Sequence, residues 1–148
     1  MIKIKTKAHN QTKLVFHIVT CIKYRRNVLT DKVKDTLINV SMEIEEDYEI
    51  EFLEIGTDQN HVHYLVQLAP KMSVSEAVRI IKSITGRMIF RFHPEVKKIL
   101  RKGKFWSEGY FACTVGQHMS EKAIREYVKN QGYNRYQKEY HQSENRKI

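Results

Sequence analysis

The chain is poor in the residues that punctuate or staple a fold. It has two prolines, two cysteines and six glycines among 148 residues. They are scattered, leaving no internal repeat, linker or low-complexity block. Two cysteines, Cys21 and Cys113, far apart and without a Cys or His at ligand spacing, exclude a disulfide scaffold and a four-ligand structural zinc site. Each sits in an apolar run, so both are expected to be buried thiols in a reducing compartment. No apolar stretch approaches the ~20 residues a membrane helix needs. The opening "MIKIKTKAHNQTK" lacks the apolar core and cleavage site of a signal peptide. The expectation is a cytoplasmic protein with no membrane partner. A glycine-rich phosphate loop is missing too, which argues against an ATP site.

Negative charge is the minority sign. Against 26 Lys and Arg stand 17 Asp and Glu, a net +9, and the acids concentrate between Glu43 and Glu54. The rest is therefore more basic than the total suggests, most densely at "KYRR" (Lys23–Arg26) and in "HPEVKKILRKGK". A cytoplasmic chain this basic meets a polyanion, because neutralising phosphates releases counterions. Nucleic acid is the leading partner, and a solubilising surface is the bland alternative. With 41% hydrophobic and 29% charged residues, the chain has the composition of one globular domain over 1–148, with 1–12 and 141–148 as flexible ends.

Periodicity then orders the elements. "KLVFHIVTCIKY" is β-branched and aromatic, which predicts a buried strand. From Thr30 or Asp31 as N-cap, Val33, Leu37, Val40 and Ile44 recur at helical period. "EIEFLEIG" and "HVHYLVQLA" read as strands joined by the turn "TDQN". Ser73 and Glu76 have capping-box spacing before a helical stripe that Pro94 ends. "EVKKILRKGK" is a basic connection with about one helical turn, "YFACTVG" a fourth strand, and "SEKAIREYVKNQGYNRYQKEY" a last helix. The order βαββαβα predicts an α+β, ferredoxin-like sandwich: a four-stranded antiparallel sheet with helices packed on it.

One constellation carries chemistry. In a strand, side chains alternate, so His61 and His63 share a face with Leu65 and Gln67. Two imidazoles so placed either converge on one metal ion or are a hydrogen-bonded core pair; the triplet alone does not decide. On the last helix Tyr127 and Gln131 lie one turn apart. Gln131 offers a carbonyl oxygen to a metal. Tyr127 offers a phenol that would need activation to attack phosphorus, and is otherwise an ordinary amphipathic aromatic. Tyr133 and Gln137 repeat the spacing, but behind Gly132, a weak point of the helix.

"NHVHYLV", then "FWSEGYFACTVG", then "IREYVKNQG", preceded by "FHIVTCIKYRRNVL" and "IIKSITGRMIFRFHPEVKK", resemble in order and spacing the single-tyrosine HUH transposases of the insertion-sequence 200/605 group. The resemblance runs from about His17 to Gln131. Asn60 departs from it, since the family commonly has Asp there. The resemblance implies that His61, His63 and Gln131 hold a divalent Mg2+ or Mn2+, and that Tyr127 is the nucleophile. The implied reaction cleaves and rejoins single-stranded DNA through a 5′-phosphotyrosine, with hairpin-bearing element ends as substrate, a homodimer as the working form and the nucleoid as the place of action. Lys23, Arg25, Arg26, Lys82, Arg87 and Arg91 are the candidate DNA contacts. Trp106, Phe105 and Tyr110 either stack on unpaired bases or pack against the sheet. Two alternatives stay open: a catalytically silent ferredoxin-like single-strand-binding protein, and a domesticated relative that processes chromosomal palindromic repeats.

Overall fold

The structure, a computed structural model, describes residues 14–101, 103–117, 126 and 134–137. The ends expected to be flexible, and the stretch carrying Tyr127 and Gln131, lie outside the described residues. Among the described residues there are five strands: β1 (Leu14–Cys21), β2 (Ile50–Thr57), β3 (His61–Leu68), β4 (Phe111–Gln117) and β5 (Asn134–Gln137). The helices with described bounds are α1 (Asp31–Asp47), α2 (Val74–Phe92) and α3 (Pro94–Leu100). A 3-10 turn at Lys23–Arg25 follows β1. The strand order is β4-β1-β3-β2-β5, and every pairing is antiparallel.

The four strands β4-β1-β3-β2 form the ferredoxin-like sheet expected from the sequence. The strand β5 is an addition. Residues 134–137 were expected to extend the last helix, but they pair with Glu54–Thr57 on the edge of β2. An edge strand exposes a row of unpaired backbone groups that a passing segment can satisfy. Gln137, one member of the second candidate pair, thus lies in a strand; Tyr133 lies outside the described residues.

Side-chain parity sorts the sheet into two faces. Ile18, Ile22, Val62, Tyr64, Val66, Phe52 and Ile55 point to one side and pack with Val33, Leu37 and Ile44 of α1 and Ala77, Ile81 and Ile89 of α2. In β2 the alternation breaks where the register shifts between Phe52 and Glu54. The bulge absorbs Leu53 and returns Ile55 to the core face. Thr30 caps α1 by accepting the Val33 N–H, and Ser73 caps α2 by accepting the Glu76 N–H. Both caps sit where the sequence put them. Pro94, which closes α2 two residues after its end, opens α3 as its first residue, so the basic connection is a seven-residue helix rather than a single turn.

Beyond β1 the chain 103–109 folds back as a loop. Its backbone joins the end of β1 through Lys23 N–H to Phe105 O (2.8 Å) and Ser107 N–H to Cys21 O (2.8 Å). Trp106 is buried there and donates from Nε1 to Thr85 Oγ1 at 2.9 Å. Phe105 stands edge-on to it at 4.7 Å. Of the three aromatics, Phe105 and Trp106 are therefore packing residues, and Tyr110 is exposed. Gly103 and Gly109, at φ +76° and +84°, bracket this loop in the left-handed region that glycine enters at no steric cost. No helix among the described residues is long and apolar enough to cross a membrane.

Candidate metal centre and nucleic-acid surface

The turn Asp58–Asn60 delivers the histidine pair. It is closed by Asp58 N–H to His61 O (2.9 Å), and β3 starts at His61. Because Val62 and Tyr64 go to the core, His61 and His63 are forced onto the opposite face of the sheet. Cross-strand, His61 faces Cys21 and His63 faces Val19, while His17 faces Cys113 on β4. The two cysteines, expected to be buried, are therefore on the histidine side: Cys21 is half-buried and Cys113 exposed. An apolar run in sequence did not report which face each residue took.

Three acceptor-rich side chains converge at the turn. Asp58, His61 and His63 can each bring one ligand atom within 4.8 Å of the others. His61 lies between two oxygens: its Nδ1 is 2.7 Å from Asn60 Oδ1, and its Nε2 is 2.9 Å from Asp58 Oδ2. The Asn60 amide is oriented by its Nδ2 donating to Arg25 O at 3.4 Å. With the ring proton on Nδ1, a lone pair on Nε2 faces a carboxylate, an arrangement that a cation between them satisfies. Neighbouring ligands around a small octahedral ion at ~2.1 Å are about 3 Å apart. The Asp58–His61 separation matches that spacing. Two imidazoles and a carboxylate suit a divalent first-row ion such as Mn2+ better than Mg2+, which prefers oxygen alone. The donors present fit a divalent metal.

His63 is held differently. Its Nδ1 lies 3.0 Å from Nε2 of His17, and the two rings lie nearly coplanar, edge to edge, with centroids 5.2 Å apart and planes 17° from parallel. Burial, then the neighbouring His17 and His61, push the His63 pKa down to about 4, with Asp58 pulling the other way. Burial also lowers His17. Both rings are thus neutral at physiological pH, the state in which an imidazole nitrogen can ligate a metal. Tyr64, its neighbour in sequence, is wholly buried, and burial raises its phenol far out of reach of ionisation, which removes it as a nucleophile.

Asn60, the departure from the family pattern, keeps the oxygen that orients His61 and drops the negative charge an Asp would add. Two residues of this centre were not singled out by sequence reasoning. Asp58 read only as part of a turn, although its place three residues before His61 was visible. His17 carried no signal, because its pairing with His63 depends on the register of β1 against β3.

The candidate DNA contacts fall into two groups. Lys23 and Arg25 lie in the 3-10 turn and Arg26 caps it, beside the Asp58–His61–His63 group, where Ile22 N–H reaches Asn60 O at 2.8 Å. Arg25 and Arg26 are exposed. Lys82, Arg87 and Arg91 line a cavity of about 700 Å³ between α2 and the 103–109 loop, with Arg79, Lys97 and Lys104 beside them. Lys82 donates to Ser107 O at 2.9 Å and Gly109 O at 2.6 Å, so it fastens the loop to α2. Burial lowers its pKa. The structure brings His61 and His63 together; Tyr127 and Gln131 lie outside the described residues.

A profile of the family described as "Transposase IS200 like" matches residues 10–131. The chain belongs to this family. As an IS200-like transposase it is a DNA transposase, and its relatives agree. It is 28% identical over 119 residues to the ISDra2 transposase TnpA of Deinococcus radiodurans, covering 80% of this chain and 84% of that one. It is 29% identical over 127 residues to the transposase for insertion sequence element IS200 of Salmonella typhimurium, covering 86% and 82%. A crystal structure of a Deinococcus radiodurans protein described as a transposase superposes with a TM-score of 0.67 at 27% identity, over 82% of this chain and 93% of that one. The structure of a REP-associated tyrosine transposase bound to a REP hairpin shares the fold, with a TM-score of 0.53 at 15% identity over 78% and 62%.

Proposed function

We propose that this IS200-like transposase cleaves and rejoins single-stranded DNA at the ends of an insertion sequence, through a tyrosine nucleophile at a divalent metal. The observation that carries this is the Asp58–His61–His63 group at the mouth of β3, flanked by the basic turn Lys23–Arg26. His61 and His63 hold a Mg2+ or Mn2+ ion, Asp58 adds a carboxylate, and Gln131 adds an amide oxygen. When bound, the ion supplies Lewis-acid polarisation of the scissile phosphate. The phenol oxygen of Tyr127 attacks phosphorus and loses its proton. The bond from phosphorus to the 3′ oxygen breaks, leaving a 5′-phosphotyrosine and a 3′-hydroxyl. Attack by a 3′-hydroxyl then rejoins the strands and returns the phenol. The phosphodiester energy is kept in the linkage, so no nucleotide cofactor is called for.

Lys23, Arg25 and Arg26 lie where they can hold the backbone of the strand being cut. Arg87 and Arg91, with Lys82 in the wall, face a separate basic cavity suited to the phosphates of a hairpin stem. The REP-associated relative is bound to a hairpin, which supports that assignment. The protein works as a homodimer in the cytoplasm, at the nucleoid, as one polypeptide module. Insertion-sequence transposases at 28–29% identity favour this reading over a domesticated repeat-processing role.

A covalent-adduct assay tests the reading. The protein is incubated with single-stranded DNA from both flanks of its gene and Mn2+, then run on a denaturing gel. The expected result is an adduct that chelator or Tyr127→Phe abolishes. An adduct surviving Tyr127→Phe overturns the choice of nucleophile. Hairpin binding without an adduct in any metal overturns the catalytic reading in favour of a silent binding protein.

A further inference from the structure

We infer that His17 is a positioning residue for the metal centre: it accepts the Nδ1–H of His63 and thereby fixes the tautomer in which His63 ligates. This rests on the reading of His61 and His63 as metal-holding residues. A neutral imidazole carries one proton on its two nitrogens, so a ring that ligates through one nitrogen must be protonated at the other. The 3.0 Å contact between His63 Nδ1 and His17 Nε2 holds one proton. If His17 donated it, the proton of neutral His63 would sit on Nε2 and neither nitrogen of His63 could serve an ion. With His63 donating, Nε2 is the nitrogen that offers a lone pair toward the ion shared with Asp58 and His61.

The site then has one logic for both rings. His61 is tied at Nδ1 by Asn60 Oδ1, a neighbour in sequence. His63 is tied at Nδ1 by a residue 46 positions away, on the adjacent strand. His17 is suited to this task because it cannot swing. It is buried, lies edge to edge with the His63 ring with centroids 5.2 Å apart, and is met edge-on by Phe111 of β4 at 6.1 Å and 74°. A hydrogen bond to the far nitrogen of a ligand histidine sets ring orientation and basicity, and its removal typically costs 10–100-fold in metal affinity.

The test compares His17→Phe, His17→Gln and His63→Ala in the full chain, reading Mn2+ affinity from the free-ion signal in electron paramagnetic resonance, with a thermal melt in chelator for each. Glutamine places Oε1 the same number of bonds from the backbone as Nε2 of histidine, so it restores an acceptor; phenylalanine fills the space without one. His17→Phe is expected to weaken Mn2+ binding about 10–100-fold, and His17→Gln to keep most of it. Wild-type affinity in His17→Phe overturns the proposal, as does equal loss in both His17 variants, which would mark a packing role. Unchanged Mn2+ binding in His63→Ala instead overturns the metal reading beneath it. Should His17→Phe not fold, imidazole nitrogen resonances of the metal-free wild type decide: a proton on His63 Nδ1 supports the inference, and one on Nε2 overturns it.

Discussion

His63 shows how one side chain can be informative through what surrounds it. Its pKa is pushed down to about 4, chiefly by burial and then by two neighbouring imidazoles. The unfolded chain takes up this proton near the ordinary histidine value of 6.5, while the folded chain resists it down to about 4. Between those values the unfolded state binds more protons, so folding stability rises with pH and is lost on acidification. Denaturant melts of the metal-free protein from pH 7 to pH 4 should show that slope, and His63→Ala should flatten it. The change should stay below the ~1.4 kcal/mol per pH unit of one full proton, because the side chain is only part-buried. An unchanged slope would mean that His63 is protonated alike in both states.

Among elements, α2 bears the most varied duty. One side of it closes the core through Ala77, Ile81 and Ile89; another presents Arg87 and Arg91 to the cavity; and Lys82 fastens the 103–109 loop. Its first turn depends on the Ser73 hydroxyl accepting the Glu76 N–H at 3.1 Å. Ser73→Ala removes that cap and should cost about 1 kcal/mol, or roughly 3 °C in melting temperature for a chain of this size. A melt within error of wild type would show that water serves the exposed N–H equally well. At β2, by contrast, an element is defined by its partners. The bulge at Leu53 and the edge taken by β5 both depend on pairing, and local propensity foreshadowed neither.

For the whole molecule, the sheet separates two surfaces. The Asp58–His61–His63 group and the Lys23–Arg26 turn belong to the end of β1 and β3, whereas the Arg87–Arg91 cavity belongs to the helical layer. The 103–109 loop links them, since Phe105 and Ser107 bond the end of β1 while Lys82 bonds the loop's far carbonyls. If the cavity grips phosphates, Arg87→Ala and Arg91→Ala should each weaken hairpin binding, flatten its dependence on log salt by about one unit, and leave adduct formation on a hairpin-free strand nearly intact. Fluorescence anisotropy across a salt series measures this. A slope that stays at the wild-type value in both variants would place the hairpin elsewhere.

Much of this was determined by the amino-acid order alone. Period-2 and period-3.6 runs, two hydroxyl caps and the prolines marked the helices and the four main strands, because those signals are local. Parity within "HVHYLV" likewise put His61 and His63 on one face before any neighbour was known. Only the tertiary structure decided what they face. The pairing of His17 with His63 depends on β1 and β3 sliding to one register out of several, and a one-residue slip would send His17 into the core. The burial of Trp106, the exposure of Cys113 and the conversion of 134–137 from helix to edge strand have the same origin. Each is settled by long-range pairing, whose energy no local stretch of sequence contains.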